Sequence, residues 1–178
     1  MKKNEVSITM YISELLYEVQ NKTYLTGMSR KNGNNHEEVA NMQANDDDEN
    51  INQLLRSIQN SSSTLKTKLS DYIVDTSLSS SNVLMESTDD ITFTLTVPTN
   101  YNHSTVETIT SSMHQYIVNT ATGDWFSITN KADAENYYRF ASSNLEMIRE
   151  ALNKRVRPNR RGAEDTSSRF GNTTEQTT

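Results

Sequence analysis

Asp46-Asp47-Asp48-Glu49-Asn50-Ile51-Asn52-Gln53-Leu54-Leu55-Arg56-Ser57-Ile58 is the stretch that decides the fold class. Its apolar positions continue in steps of three, four and seven, from Ile51, Leu54, Leu55 and Ile58 to Leu65, Leu69 and Ile73. That spacing holds one face of a helix. The acidic opening puts negative charge at the positive end of the helix dipole. Ser61-Ser62-Ser63 has poor helix propensity. The apolar face nevertheless resumes in phase beyond the serines, so one long helix is expected here.

A second strong helical period lies downstream. Ala134, Tyr138, Ala141, Leu145, Ile148, Leu152 and Val156 predict a helix from about Asn130, ended by Arg157-Pro158. Glu150 and Lys154 add an i,i+4 pair of the favoured polarity. Before it, Val106, Ile109, Met113, Tyr116 and Ile117 predict another helix that ends near Thr122-Gly123, with Trp125, Phe126 and Ile128 as an aromatic connector. Near the N-terminus, Val6, Ile8, Met10 and Ile12 alternate with polar residues, as in a half-buried strand. From Ser13, a plausible N-cap, Leu15, Leu16, Val19, Tyr24 and Met28 fit a helix to about Arg30, stopped by Lys31-Asn32-Gly33-Asn34-Asn35. A helix starting near Glu5 that absorbs the strand is the alternative. The segment from 36 to 45 reads as a short helix or an ordered loop.

Residues 76 to 89 read as a polar linker interrupted by Val83-Leu84-Met85. Ile91, Phe93, Leu95 and Val97 then alternate with threonines up to Pro98, a strong strand signal. Its partner is left open among 83 to 86, 6 to 12 and a neighbouring subunit. The expected fold class is mainly α (α+β): an irregular bundle of about four helices with a small β element and an extended C-terminal tail. The expected division is a helical domain over 1 to 160 and a tail over 161 to 178.

Composition narrows the function. The chain has 178 residues, of which 33% are apolar and 22% charged, with net charge -6 and no cysteine. Mean hydropathy is -0.75. A chain this polar buries a slim core, so part of its surface is expected to be completed by another subunit. The acidic balance argues against a generally basic nucleic-acid binder. No apolar run approaches a membrane span of roughly 18–20 residues, and Met1 to Val6 lacks the apolar stretch of a secretory signal. A soluble protein made in the cytoplasm is expected.

Catalytic and metal motifs do not assemble. Asp46, Asp48, Asn50 and Asn52 match the start of a calcium loop, but Ile51 stands where the turn glycine belongs and Ser57 where the bidentate glutamate belongs. His103 and His114 are eleven residues apart, about 16 Å along a helix, too far to share a metal. His36 precedes Glu37-Glu38 without the second histidine of a zincin motif. Neither a glycine-rich phosphate loop nor a G-x-S-x-G elbow occurs. The expectation is no catalytic residue, no metal site and no cofactor.

Lys154-Arg155-Val156-Arg157-Pro158-Asn159-Arg160-Arg161 is the most pronounced charge feature. It admits three readings: a solvated helix end, inter-subunit docking against the acidic patch Asp46, Asp47, Asp48 and Glu49 of a neighbour, or contact with nucleic-acid phosphates. Beyond it, Phe170 is the only large apolar side chain of the tail. An extended tail along a neighbour would use Phe170 as anchor and Arg160, Arg161 and Arg169 for charge contacts.

Three strings carry a resemblance: Asn21-Lys22-Thr23-Tyr24-Leu25-Thr26-Gly27, Ala44-Asn45-Asp46-Asp47-Asp48-Glu49-Asn50, and Trp125-Phe126-Ser127-Ile128-Thr129-Asn130 leading on to Ala151-Leu152-Asn153-Lys154-Arg155-Val156-Arg157-Pro158. Over residues 5 to 160 the organisation resembles small structural proteins from the head-to-tail region of crAss-like bacteriophages. The resemblance implies a virion subunit at the head–tail junction, a ring or adaptor protein of the connector between portal and tail. Its implied partners are identical subunits in a closed ring, the portal and other connector or tail proteins, with non-specific contact to packaged DNA and no membrane. It transfers no catalytic residue. The competing expectation is a small nucleic-acid-binding or packaging accessory protein acting through the basic run.

Overall fold

The computed structural model describes residues 3 to 74 and 80 to 157. Arg160, Arg161, Arg169, Phe170 and the expected tail lie outside the described residues. The order is β1 (Lys3–Tyr11), α1 (Ile12–Ser29), α2 (His36–Met42), α3 (Asp48–Lys68), β2 (Asp90–Pro98), a 3-10 turn (His103–Thr105), α4 (Val106–Thr129) and α5 (Lys131–Asn153). The fold is mainly α (α+β), with five helices and a two-stranded antiparallel sheet among the described residues. The fifth helix is the short α2, in the segment that sequence left between helix and loop. No helix here is long and apolar enough to cross a membrane.

β1 pairs with β2 in the register Val6↔Leu95, Ile8↔Phe93 and Met10↔Ile91. Both strands turn the same set inward: Ile8, Met10, Ile91, Phe93, Leu95 and Val97 are all buried. The period-two pattern had marked both strands, and the register now selects β1 from the three partners left open. The outer edge of β2 is not bare. Val74 N–H donates to the Thr94 carbonyl at 3.0 Å and Thr96 N–H to the Tyr72 carbonyl at 2.6 Å. Leu84 and Met85 are half-buried against the core rather than paired with β2.

α4 is the hub. Ile109, Met113, Ile117, Val118, Ala121 and Phe126 are buried on it, and α5, α3 and α1 pack around it. The expected end of this helix at Thr122-Gly123 is corrected: α4 runs on to Thr129, so Trp125, Phe126 and Ile128 are helical rather than a connector. The glycine marks a close approach instead of a stop. A Cβ at Gly123 would lie 2.9 Å from a ring carbon of Tyr138 on α5. Trp125 is pinned by its own bond, Nε1 donating to the Met42 carbonyl at 2.8 Å, which ties α2 to the hub.

Other boundaries shift for local reasons. α1 begins at Ile12, with Tyr11 rather than Ser13 in the N-cap position and no side-chain cap bond. Tyr24 and Met28, expected in the core, are exposed. α3 ends at Lys68, and Ile73 bridges Leu95 as a short strand segment instead of continuing the helix. α5 ends at Asn153; Val156 is exposed and extended, its N–H donating to the Asn100 carbonyl at 2.9 Å. Tyr138 is only partly covered, its ring lying over Gly123 of α4 rather than deep in the core.

Candidate interaction surface

α1 and α5 flank α4 and leave a groove of about 480 Å³ between them. Its floor is polar. Lys22 Nζ donates to Gln115 Oε1 and Asn119 Oδ1, both at 2.8 Å, and stands 3.8 Å from Glu18 Oε1. Glu18 in turn accepts from Gln115 Nε2 at 2.7 Å and pairs with His114 Nε2 at 2.5 Å. The helical repeat explains the convergence, since Glu18 and Lys22 are one turn apart on α1 and Gln115 and Asn119 one turn apart on α4.

The electrostatics follow from partial burial. Burial alone would push the Glu18 carboxyl up, but hydrogen bonds from Gln115 and His114 and the charge of Lys22 outweigh it and hold the carboxyl below its usual range. Burial lowers the Lys22 ammonium, with Glu18 opposing. The ammonium donates to two amide oxygens and stands within ion-pair distance of one carboxylate. Two of its hydrogens go to Gln115 and Asn119 and its charge faces Glu18, so the cluster ties α1 to α4 as a polar strut.

The walls of the groove are apolar and unsatisfied in a different sense. Tyr137 is fixed by stacking on Phe126 at 5.5 Å and by a 2.7 Å bond between its hydroxyl and Thr26. Leu25 and Phe140 rise on either side of it, each 56% exposed. Tyr17 and Tyr24 continue the exposed apolar surface along α1, where they line a smaller groove of about 350 Å³ with Asp46. Met147 extends it along α5, one turn and three residues beyond Phe140.

Of the residues singled out by sequence, the structure places each as follows. Lys154 pairs with Glu150 at 2.7 Å, the i,i+4 contact expected from spacing. Arg155 Nη1 donates to the Leu152 carbonyl at 2.8 Å, closing the C-terminus of α5, and its backbone bridges Tyr101. Arg157 is exposed. Asp46 accepts from Gln20 Nε2 at 2.8 Å. Asp47 occupies the N-cap position of α3 without a side-chain bond, and Asp48 and Glu49 form its first turn; all are exposed. His103 sits in the turn before α4, not on the helix with His114, and packs edge-on against Tyr101 at 5.8 Å.

Sequence reading missed the groove and its strut. Glu18 to His114 spans 96 positions, and only the Glu18–Lys22 spacing was visible locally. Comparison with family models, with curated proteins and with solved structures finds no match.

Proposed function

We propose that this chain is a virion structural protein, a ring or adaptor subunit of a phage head–tail connector joining portal to tail around the DNA channel. The observation that carries it is the exposed apolar wall of the α1/α5 groove. Leu25 and Phe140 stand more than half exposed in a chain with only 33% apolar residues, which has few to spare for solvent. Such a surface belongs against protein, and the resemblance over residues 5 to 160 supplies the setting. Of the basic run on which the nucleic-acid alternative rests, Lys154 pairs with Glu150 and Arg155 closes the end of its own helix, while Arg157 is exposed.

The test is the mass of the assembled particle. Native mass spectrometry of the full chain, alone and mixed with its genomic neighbours, is expected to give a closed multi-copy species. A chain that stays below ring size under all of these conditions, or one whose main interaction is with duplex DNA and falls steeply with salt, overturns the reading.

A further inference from the structure

We infer that β1 is a two-fold pairing edge, on which β1 of a second copy of this chain lies antiparallel, centred on Ser7, to merge two sheets into one of four strands. The direction of the backbone groups comes first. Thr94 and Thr96 exchange bonds with Val74 and Tyr72, on the side of β2 away from β1. In an antiparallel ladder a residue's N–H and C=O point to one side and its neighbours' to the other. Phe93 and Leu95 therefore point at β1, and their partners Ile8 and Val6 point back at β2. What remains is the alternate set. Glu5, Ser7 and Thr9 aim their N–H and C=O groups away from β2, and no segment pairs with that edge among the described residues.

The centre of this edge is little protected. Lone sheet edges are blunted by proline, a bulge, inward charge or a covering element. β1 has no proline and its register with β2 is unbroken; its charges are Lys3 at its first position and Glu5, both outside the central stretch from Val6 to Tyr11.

A second copy fits because the edge is self-complementary. With Ser7 opposite Ser7, Glu5 faces Thr9 of the other copy, so no like charges meet. All three of these residues have outward-pointing groups, so the pairing engages both edges along their length. Glu5, Ser7, Thr9 and Tyr11 are exposed, so the joint face is polar and continuous, while Ile8 and Met10 stay in their own core. The pairing does not depend on the connector reading. A two-fold contact joins two copies and closes; a ring needs a further contact, for which the α1/α5 groove is free.

The experiment uses the full chain. The parent is expected to be dimeric by light scattering or in larger species built from dimers. Ser7→Pro removes an N–H that points outward and no β1–β2 bond, a place where edge strands accept proline. It deletes two bonds per dimer and should weaken dimerisation roughly tenfold or more, with the helical circular dichroism retained. Because proline could distort β1, Ser7→Lys and Ser7→Glu are mixed in equal amounts as a second arm. Native mass spectrometry should then show mixed dimers in excess of the random proportion, because the two charges face each other at the axis. A monomeric parent, a dimer indifferent to Ser7→Pro, or random mixing of the two charged variants overturns the pairing. Rings that survive both variants keep the connector reading and sink this one, and dimers that never grow further do the reverse.

Discussion

Leu152→Ala is the sharpest test of how this fold is held. Leu152 is 0% exposed at the inner face of α5, in line with Ala141, Leu145 and Ile148, all buried. The substitution removes three buried carbons, about 2.4 kcal/mol at roughly 0.8 kcal/mol each. The hole left behind adds to that, and buried Leu→Ala changes cost about 2–5 kcal/mol in all. Taking about 3 kcal/mol, a domain of this size should lose about 6–12 °C in melting temperature. The single tryptophan, Trp125, lies buried where α4 meets α2, so its emission follows unfolding at a site remote in sequence from the change. The bond from the Arg155 guanidinium to the Leu152 carbonyl does not involve the leucine side chain and is retained in the variant, so the helix end itself should not fray. Met147→Ala, on the exposed side of the same helix, is the control and should fall within about 0.5 kcal/mol of the parent. A Leu152→Ala protein that melts within two degrees of the parent would refute the assignment of this face to the core.

Three further outcomes follow from named contacts. Gly123→Ala should gain less than the helix-propensity benefit of about 1 kcal/mol, because its Cβ meets the Tyr138 ring at 2.9 Å and strains its 2.7 Å bond to Asp124; in a Tyr138→Ala background the same change should show the full benefit, and equal effects in the two backgrounds remove the clash as the cause. Tyr138 is raised to about 12 by burial and by Asp124, and burial also raises Tyr116, so absorbance titration should show tyrosines ionising late, and the late component should shrink by one tyrosine in Tyr138→Phe. Glu18 is held below its ordinary value of 4.5; such a group contributes stability above that value and loses it as pH falls through the folded pKa. Glu18→Gln should therefore flatten the acid limb of a melting-temperature profile, and an unchanged limb would show that the strut does not titrate with folding.

What sequence made legible was periodicity, and what it hid was pairing. β1, β2, α3 and α5 were all signalled by apolar spacing, to within a few residues at each end. Strand pairing joins segments more than 80 positions apart, such as Thr9 and Thr92, and spacing carries no information about it. α4 was cut short because Gly123 reads as a stop, when the helix needs it to admit the Tyr138 ring. Tyr24 and Met28 matched the α1 period yet lie on its outer side, since the period names a face without saying how wide the buried arc is. The strut of Glu18, Lys22, His114, Gln115 and Asn119 escaped for the same reason as the sheet: its two halves come from helices far apart in the chain.

The low apolar content raises a physical question that the serines answer. Ser57, Ser61 and Ser62 are buried on α3, where a slim core would seem to lack material. The hydroxyls of Ser61 and Ser62 find partners within their own helix. Ser61 Oγ donates to the Ser57 carbonyl at 2.6 Å and Ser62 Oγ to the Gln59 carbonyl at 2.8 Å. On α4, Thr122 Oγ1 does the same with the Val118 carbonyl at 2.8 Å. Bonded backwards in this way, a serine or threonine presents mainly its carbons outward and behaves as a small packing residue. Its desolvation is offset locally, without a partner from another element. The composition that looked too polar for a complete core is therefore partly a core composition, and the apolar residues it frees stand on the outer faces of α1 and α5.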